Sequence, residues 1–217
     1  MIAERDAVLS IADGPRLQAR LALPEPPSGG VVVCHPHPLY GGDMDNPVVV
    51  RVAEVCSALG LATLRFNFRG VGGSTGAHDE GRGERLDVET ALAHLAGLIG
   101  PTPLALAGYS FGAALAATLA AGRRDLAGLA LVAPPLAMRE PPGLPALAGF
   151  PGPVLLVAGT ADEHCPPDAL ERFRAAAPRA VIRTIPGANH FFFGKLFPLG
   201  EAVEAWARQV LGTGGPG

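Results

Sequence analysis

The sequence predicts an α/β protein built on a mostly parallel, twisted sheet with helices on both faces. Short β-branched apolar segments alternate along the chain with longer segments of helical periodicity, a pattern typical of parallel strands joined by helical crossovers. Near the N-terminus, two alternating segments flank a turn, which predicts an antiparallel hairpin at one edge of the sheet. We expect a single domain over residues 1–217, since α/β chains of about 200–250 residues often fold as one unit.

The elements follow in order from local patterns. Ala7–Ala12 and Arg16–Leu23 lie on either side of the turn residues Asp13-Gly14-Pro15 and form the hairpin. Asn46 before Pro47 indicates a helix start, with asparagine as the N-cap and proline at the first helical position. The other predicted strands are Gly30–His35, Leu61–Phe68, Leu104–Ala107, Leu126–Val132, Pro153–Ala158 and Ala180–Ile185. The predicted helices are Pro47–Leu59, Glu84–Ile99, Phe111–Ala121, Asp168–Ala176 and Val203–Leu211.

The composition excludes several classes of protein. The net charge is −3, which argues against a basic nucleic-acid-binding face, so we expect no nucleic-acid partner. Hydrophobic residues make up 48% of the chain and charged residues only 17%. Disorder driven by charge is therefore excluded, and the chain has enough apolar residues for a sizeable core.

The sequence also lacks signals for secretion and membrane insertion. Met1–Asp6 has no apolar core of a signal peptide, and the three cysteines include no Cys-x-x-Cys pair. Residues 90–122 carry no Asp, Glu, Lys or Arg, but Gly100-Pro101 and Pro103 interrupt them. A membrane span needs about 20 continuous apolar helical residues. We therefore expect a cytoplasmic protein in a reducing compartment with no membrane partner; the sequence leaves its oligomeric state open.

The strongest chemical signal is Gly108-Tyr109-Ser110-Phe111-Gly112, which lies between a predicted strand and a predicted helix. A serine on such a turn has its hydroxyl exposed above the edge of the sheet, and the glycines allow close backbone packing. The partial positive charge at the N-terminus of the following helix favours an oxyanion. The pattern alone is weak evidence, because a strand-to-helix turn with a capping serine has the same form.

Gly72-Gly73-Ser74-Thr75-Gly76 matches the same five-residue pattern. It follows a predicted strand, but the chain continues into Ala77–Gly81, which has no helical periodicity. We interpret this second match as a loop beside the site rather than as a nucleophile.

A nucleophilic serine needs a base, and the base needs an orienting acid. Because ligands of parallel sheets bind at the carboxyl ends of the strands, we expect both groups in loops that follow later strands. Asp162 and His190 occupy such loops, in the chain order serine, aspartate, histidine. The competing candidates are Glu163 and Asp168 for the acid and His164 for the base. We predict Ser110, Asp162 and His190 as the catalytic residues.

An oxyanion hole needs backbone N–H donors directed at the developing charge. Phe111, directly after the serine, is the expected first donor. The second is expected from the loop that begins at His35, and proline has no N–H group, which excludes Pro36 and Pro38. Of the two that remain, His37 is favoured over Leu39.

Other chemistries fit less well. His35-Pro36-His37 has the form of a metal-ligand pair, but Leu39-Tyr40 follows where a binuclear zinc site would continue with Asp-His. Cys34 lies inside a predicted buried strand, where cysteine usually only packs. Gly70–Thr75 fails the dinucleotide-binding pattern, which requires glycine where Thr75 stands. No metal and no organic cofactor is expected.

Together these segments resemble the α/β-hydrolase superfamily over almost the whole chain. More narrowly, His35–Pro38 with Gly41-Gly42, Phe66–Ser74 and Gly187–Phe192 are similar to a bacterial group of small serine hydrolases related to dienelactone hydrolases and to carboxylesterases without a lid. The resemblance implies an acyl-serine mechanism. Dienelactone hydrolases carry cysteine where this chain has Ser110, which favours ordinary ester hydrolysis.

Many relatives insert a helical lid where this chain has only Ala133–Gly152, which is proline-rich and too short for a lid domain. An open site implies small or exposed substrates. The apolar residues of this interval could line an acyl pocket or merely pack on the sheet edge; they are Leu136, Met138, Leu144, Leu147 and Phe150. We assign four residues to the substrate pocket, namely Tyr40, Tyr109, Leu136 and Met138.

The sequence therefore predicts a serine hydrolase that cleaves small or short-acyl carboxylic esters through an acyl-serine intermediate. The same triad would serve an acyl-thioesterase, an acyltransferase or a small peptidase, and nothing in the sequence separates these acyl donors. A non-catalytic, ligand-binding relative of hydrolases is the alternative of a different class.

Overall fold

The structure, a computed structural model, describes residues 2–138 and 144–212. Within them, eight strands form one sheet in the order β1-β2-β4-β3-β5-β6-β7-β8. The strands are β1 (Arg5–Ser10), β2 (Arg16–Ala22), β3 (Gly30–Cys34), β4 (Ala62–Phe66), β5 (Leu104–Tyr109), β6 (Gly128–Val132), β7 (Val154–Gly159) and β8 (Val181–Ile185). The helices are α1 (Pro47–Ala58), α2 (Arg82–Ile99), α3 (Phe111–Ala120), α4 (Pro167–Ala176) and α5 (Leu196–Gly212).

The predicted fold class is confirmed. β1 pairs with β2, and β2 with β4, in antiparallel register, while β4, β3, β5, β6, β7 and β8 run parallel to their neighbours. The carboxyl ends of the parallel strands therefore share one edge of the sheet. The loops after β3, β5, β7 and β8, which hold the predicted site residues, all begin at that edge.

Two apolar clusters cover the two faces of the sheet. One joins α2, α3 and α4 to alternate strand residues such as Val32 and Leu106, and the other joins α1 and α5 to the intervening residues such as Val31 and Ala105. The central strands are buried on both faces, which is why β3 and β5 are continuous apolar runs rather than alternating ones.

Some boundaries differ from the prediction. α5 begins at Leu196, seven residues before the predicted start at Val203. Pro198 lies in its first turn, where the missing N–H costs no helical hydrogen bond. Two short 3-10 helices, Pro38–Tyr40 and Leu144–Gly149, were not predicted because proline and glycine obscure any periodicity.

No helix in the described part of the chain is long and apolar enough to cross a membrane. The charge-free stretch at 90–122 is divided between the end of α2, the central strand β5 and α3. Of the proline-rich interval at 133–152, residues 139–143 lie outside the described residues, including Pro141 and Pro142.

Candidate active site

Ser110 connects the central strand β5 to α3 through a strained turn. Its φ of +53° and ψ of −113° lie in a region that residues with a side chain rarely adopt. The Ser110 N–H donates to the carbonyl of Val132 on the neighbouring strand at 2.9 Å. This strained conformation places the serine beyond the end of the sheet, where its side chain lines a cavity.

The two glycines of the turn are required by close backbone contacts. A Cβ on Gly108 would lie 2.3 Å from the carbonyl oxygen of Gly112, and a Cβ on Gly112 would lie 2.5 Å from the carbonyl oxygen of Cys34. Both neighbours are backbone atoms, which cannot move away cheaply. α3 therefore packs directly against the end of β3, from which the loop that carries His37 departs.

The loops after β7 and β8 bring Asp162 and His190 to Ser110. His190 Nε2 lies 3.0 Å from Ser110 Oγ, and His190 Nδ1 lies 3.0 Å from both carboxylate oxygens of Asp162. An ionised carboxylate only accepts hydrogen bonds, so Nδ1 carries the ring proton and Nε2 of the neutral ring is left to accept the serine proton. The three predicted catalytic residues form one continuous chain of contacts.

Asp162 is buried and held from two sides. His164 donates its backbone N–H to Asp162 Oδ1 at 2.9 Å, while His190 occupies the other approach. A Cβ on Gly159, at the end of β7, would lie 2.0 Å from the carbonyl oxygen of Ala188. The loops that carry Asp162 and His190 therefore touch through backbone atoms, which sets the separation of the two side chains.

The competing candidates lie elsewhere or act differently. Asp168 is in the first turn of α4 and pairs with Arg172 one turn along, at 2.7 Å. Glu163 is exposed. His164 does lie in the site, with its ring centroid 4.6 Å from that of His190 in an edge-on contact, but it holds Asp162 through its backbone.

Tyr109 supports the loop that carries His190. It is 2% exposed, and its hydroxyl donates to the carbonyl oxygen of His190 at 2.9 Å. Burial, followed by the charge of Asp162, raises the pKa of the Tyr109 phenol, so the group remains a donor throughout the physiological range. Tyr109 lines the cavity, but its hydroxyl is already bonded to the His190 carbonyl.

The loop after β3 distinguishes the two candidate oxyanion donors. The Leu39 N–H donates to His37 Nδ1 at 3.2 Å and is therefore already engaged. The N–H of His37 has no acceptor among the described residues. Phe111 is the first residue of α3, and the first N–H groups of a helix have no intrahelical acceptor. These contacts favour His37 and Phe111 over Leu39.

His35 anchors this loop. Its Nε2 accepts the N–H of Phe68 at 3.0 Å, so Nδ1 must carry the proton that it shares with the carbonyl of Pro36 at 2.6 Å. Burial, with a smaller contribution from His37, lowers the pKa of His35 to about 4. With both nitrogens engaged, His35 is not available as a metal ligand. Among residues 2–138 and 144–212, no group of three or more histidine, cysteine, aspartate or glutamate side chains could hold a metal ion.

A cavity of about 800 Å³ opens in front of Ser110. Tyr40 and Met138 line it and are 83% and 69% exposed, so both form its rim. Leu136 is 3% exposed and packs in the core with Leu144, Leu147 and Phe150. Those four side chains support the sheet edge instead of lining the cavity, and we leave Leu136 out of the proposed pocket.

Part of the cavity lining could not be predicted from the sequence. Leu115 and Thr118 enter from α3, Arg82 and Arg85 enter from the start of α2, and Phe191 follows the base. Only Phe191 had a visible signal, because it is adjacent to His190 in the chain. The α2 residues are far from every candidate in sequence and reach the site only through the packing of α2 beside α3.

Comparison with known proteins agrees with this fold. The model of the alpha/beta hydrolase domain matches residues 31–196. The chain belongs to the alpha/beta hydrolase family. It is similar over 94% of its length to an alpha-beta serine hydrolase homologue from Coxiella burnetii, with 35% identity, a TM-score of 0.84 and 98% of that chain covered.

Two further relatives extend the comparison. A serine hydrolase without a lid from Xanthomonas campestris is 31% identical, with 94% of each chain covered and a TM-score of 0.83. An uncharacterized protein from Rickettsia prowazekii is 33% identical over 198 residues, which are 87% of this chain and 83% of that protein. The protein is thus a small alpha/beta hydrolase without a lid, and hydrolysis is the class of reaction that the family supports.

Proposed function

We propose that the protein is a serine hydrolase that cleaves carboxylic esters through an acyl-serine intermediate. The observation that carries the proposal is the position of the His190 imidazole, 3.0 Å from Ser110 Oγ on one side and 3.0 Å from the Asp162 carboxylate on the other. A serine hydroxyl is a poor nucleophile unless a base removes its proton during attack. The contact of His190 with Ser110 supports its role as the base, and the contact of Asp162 with His190 supports its role as the acid that orients that base.

In the first half of the reaction, Ser110 Oγ attacks the ester carbonyl carbon while His190 Nε2 takes the hydroxyl proton. The carbonyl oxygen becomes an oxyanion, which accepts hydrogen bonds from the N–H groups of His37 and Phe111. The intermediate then collapses: the bond to the alkoxy oxygen breaks, and the alcohol leaves with the proton from His190. Asp162 stays ionised and stabilises the transient imidazolium.

In the second half, water takes the place of the alcohol. His190 removes a proton from the water as its oxygen attacks the acyl carbon, and returns that proton to Ser110 Oγ when the acid departs. The products are one carboxylic acid and one alcohol for each ester and water consumed. No metal and no organic cofactor enters either half.

The expectation of small or short-acyl esters remains part of the proposal. The cavity of about 800 Å³ lies within the usual range for small-molecule sites, roughly 300–1,000 Å³. Its size admits longer acyl groups as well. A series of 4-nitrophenyl esters from acetate to octanoate, with matched thioesters and amides, separates an esterase from a thioesterase or a peptidase.

The test of the mechanism is covalent labelling. A fluorophosphonate should add its phosphonyl group to Ser110, and peptide mass spectrometry should locate it there. Asp162→Asn should lower kcat by about 10⁴-fold, since the amide favours the wrong ring tautomer of His190. A wild-type protein that stays unlabelled, or a label on another residue, would contradict the proposal and favour a ligand-binding relative without catalysis.

A further inference from the structure

Two exposed phenylalanines form an apolar surface beside His190. Phe191 is 57% exposed and Phe193 is 74% exposed. Their rings are stacked, with centroids 5.4 Å apart and planes inclined by 23°. We call this pair the aromatic ledge. Exposed stacked rings are a typical feature of surfaces that bind an apolar group.

The backbone holds the ledge in place. Phe192, between the two exposed rings, is fully buried and has a φ of +53°, which is a strained conformation for a bulky residue. The side-chain oxygen of Asn189 accepts the N–H of Phe191 at 3.1 Å and that of Phe193 at 3.5 Å. One ring is thus anchored in the core, and the two neighbouring rings are turned outward together.

One ring of the ledge lies beside His190, which protonates the leaving alcohol in the proposed reaction. Phe191 lines the cavity, and its ring contacts that of His190 edge-on, with centroids 5.7 Å apart. In the reaction proposed above, His190 Nε2 gives its proton to the alkoxy oxygen, so that oxygen must lie beside His190. The acyl oxygen lies at the His37 and Phe111 amides. An alcohol held beside His190 can pack its carbon atoms on Phe191, which lines the cavity next to the His190 ring.

We propose that the aromatic ledge is the binding subsite for the alcohol half of the ester and selects flat aromatic alcohols of the arylmethyl type. This inference rests on the proposed esterase function and deepens it. An arylmethyl group places its ring one carbon from the alkoxy oxygen, which allows it to pack on Phe191. Aromatic pairs of this kind interact at centroid distances of about 4.5–7 Å.

The test compares two esters with the same acyl group, benzyl butyrate and isobutyl butyrate, whose alcohols have similar leaving ability. Phe191→Ala should lower kcat/KM for the benzyl ester about 5–10-fold and for the isobutyl ester less than about 3-fold. Phe193→Ala should act in the same direction but less, since Phe193 does not line the cavity and only stacks on Phe191. Phe191→Leu keeps an apolar side chain and should still lose the benzyl preference.

Phe197→Ala is the matched control. Phe197 is also exposed, at 69%, but it lies in the first turn of α5 and does not line the cavity. It should leave both esters unaffected. Equal losses for the two esters in Phe191→Ala, or an unchanged benzyl preference, would overturn the proposal.

A binding measurement separates failure of the ledge from failure of the esterase mechanism. 2-Naphthylmethanol should bind to the Ser110→Ala protein, and binding should weaken about 5–10-fold when Phe191→Ala is added. Binding that is insensitive to Phe191 would overturn the ledge whether or not the protein hydrolyses esters. Loss of ester turnover with Phe191-dependent binding would instead refute only the esterase mechanism.

Discussion

Two segments of the chain carry the pattern Gly-x-Ser-x-Gly, and their serines are almost equally buried: Ser110 is 9% exposed and Ser74 is 8% exposed. The two hydroxyls have entirely different hydrogen-bond partners. Ser110 Oγ lies 3.0 Å from His190 Nε2 at the cavity. Ser74 Oγ donates to the carbonyl of Asn67 at 2.7 Å and accepts the N–H of Gln18 at 2.9 Å.

The difference comes from the elements around each segment. Gly108–Gly112 ends a central strand with parallel neighbours on both sides and continues directly into α3. Gly72–Gly76 follows β4, whose other neighbour β2 is antiparallel, and no helix begins before Arg82. A serine in this pattern can reach a base only where parallel strand ends and their loops converge. In the second segment, the serine hydroxyl instead forms hydrogen bonds that hold a loop against the sheet.

The largest expected effect separates the two serines by activity. Ser110→Ala should lower kcat for ester hydrolysis on the order of 10⁴–10⁶-fold, because the nucleophile itself is removed. Ser74→Ala should leave kcat within about 3-fold of the parent, since it contacts no predicted site residue. Rates with 4-nitrophenyl butyrate measure both. If Ser110→Ala retained the parent rate, the assignment of the nucleophile would be wrong.

Substitution of a glycine by alanine should destabilise the protein more in the first segment than in the second. Gly112→Ala should destabilise the protein by about 3 kcal/mol or more, because its Cβ would meet the carbonyl oxygens of Cys34 and His35 at 2.5 and 2.6 Å. Gly73→Ala meets only the side chain of Gln18, at 3.0 Å, and should cost less than about 1 kcal/mol. Urea unfolding gives both free energies. Equal costs would mean that the close packing of α3 on β3 is not required.

His35 links the two regions, since its carbonyl contacts Gly112 and its Nε2 holds Phe68 just before the second segment. Its pKa falls from 6.5 to about 4 on folding because burial disfavours the charged ring. Above pH 6.5 the His35 ring is neutral in both the folded and the unfolded chain, and the free energy of unfolding keeps its full value. As the pH falls from 6.5 toward 4, only the unfolded chain takes up the proton, and the free energy of unfolding decreases by about 3 kcal/mol in total.

His35→Gln removes this titration while retaining an acceptor for the Phe68 N–H. Denaturant unfolding at pH 7, 5.5 and 4.5 should show a shallower decline in the variant than in the parent. The difference between the two curves isolates His35 from the carboxylates that titrate in the same range. Parallel curves would show that the ring does not remain neutral in the folded protein.

The smallest effect tests the structural role of the second serine. Ser74→Ala leaves the half-buried N–H of Gln18 without its acceptor and should lower the free energy of unfolding by about 1 kcal/mol. Ser74→Thr retains the hydroxyl and is the appropriate companion variant. A fully stable Ser74→Ala protein would indicate that this loop is not held by the hydroxyl.

Most elements could be predicted because their signals are local. Asn46 does cap α1, its side chain accepting the N–H of Val48 at 3.0 Å, and the helix starts at Pro47 as expected. The early start of α5 could not be predicted, because Pro198 and Gly200 are poor helix formers. A Cβ on Gly200 would lie 2.5 Å from the Arg51 guanidinium, so that glycine serves the packing of α5 on α1.

By itself, the sequence determined the fold class and predicted that Ser110, Asp162 and His190 follow strands of the parallel sheet, because strand and helix periodicity and turn residues act over short distances. Only the tertiary structure provided the distances and contacts: Ser110 Oγ lies 3.0 Å from His190 Nε2, the Leu39 N–H is already bonded to His37, and Leu136 packs in the core instead of lining the cavity. Those contacts depend on the mutual placement of strand ends that are 50 or more residues apart, such as Ser110 and Asp162. No local pattern encodes a separation of that kind; it is set by the register of the sheet and by backbone contacts such as Gly159 against Ala188.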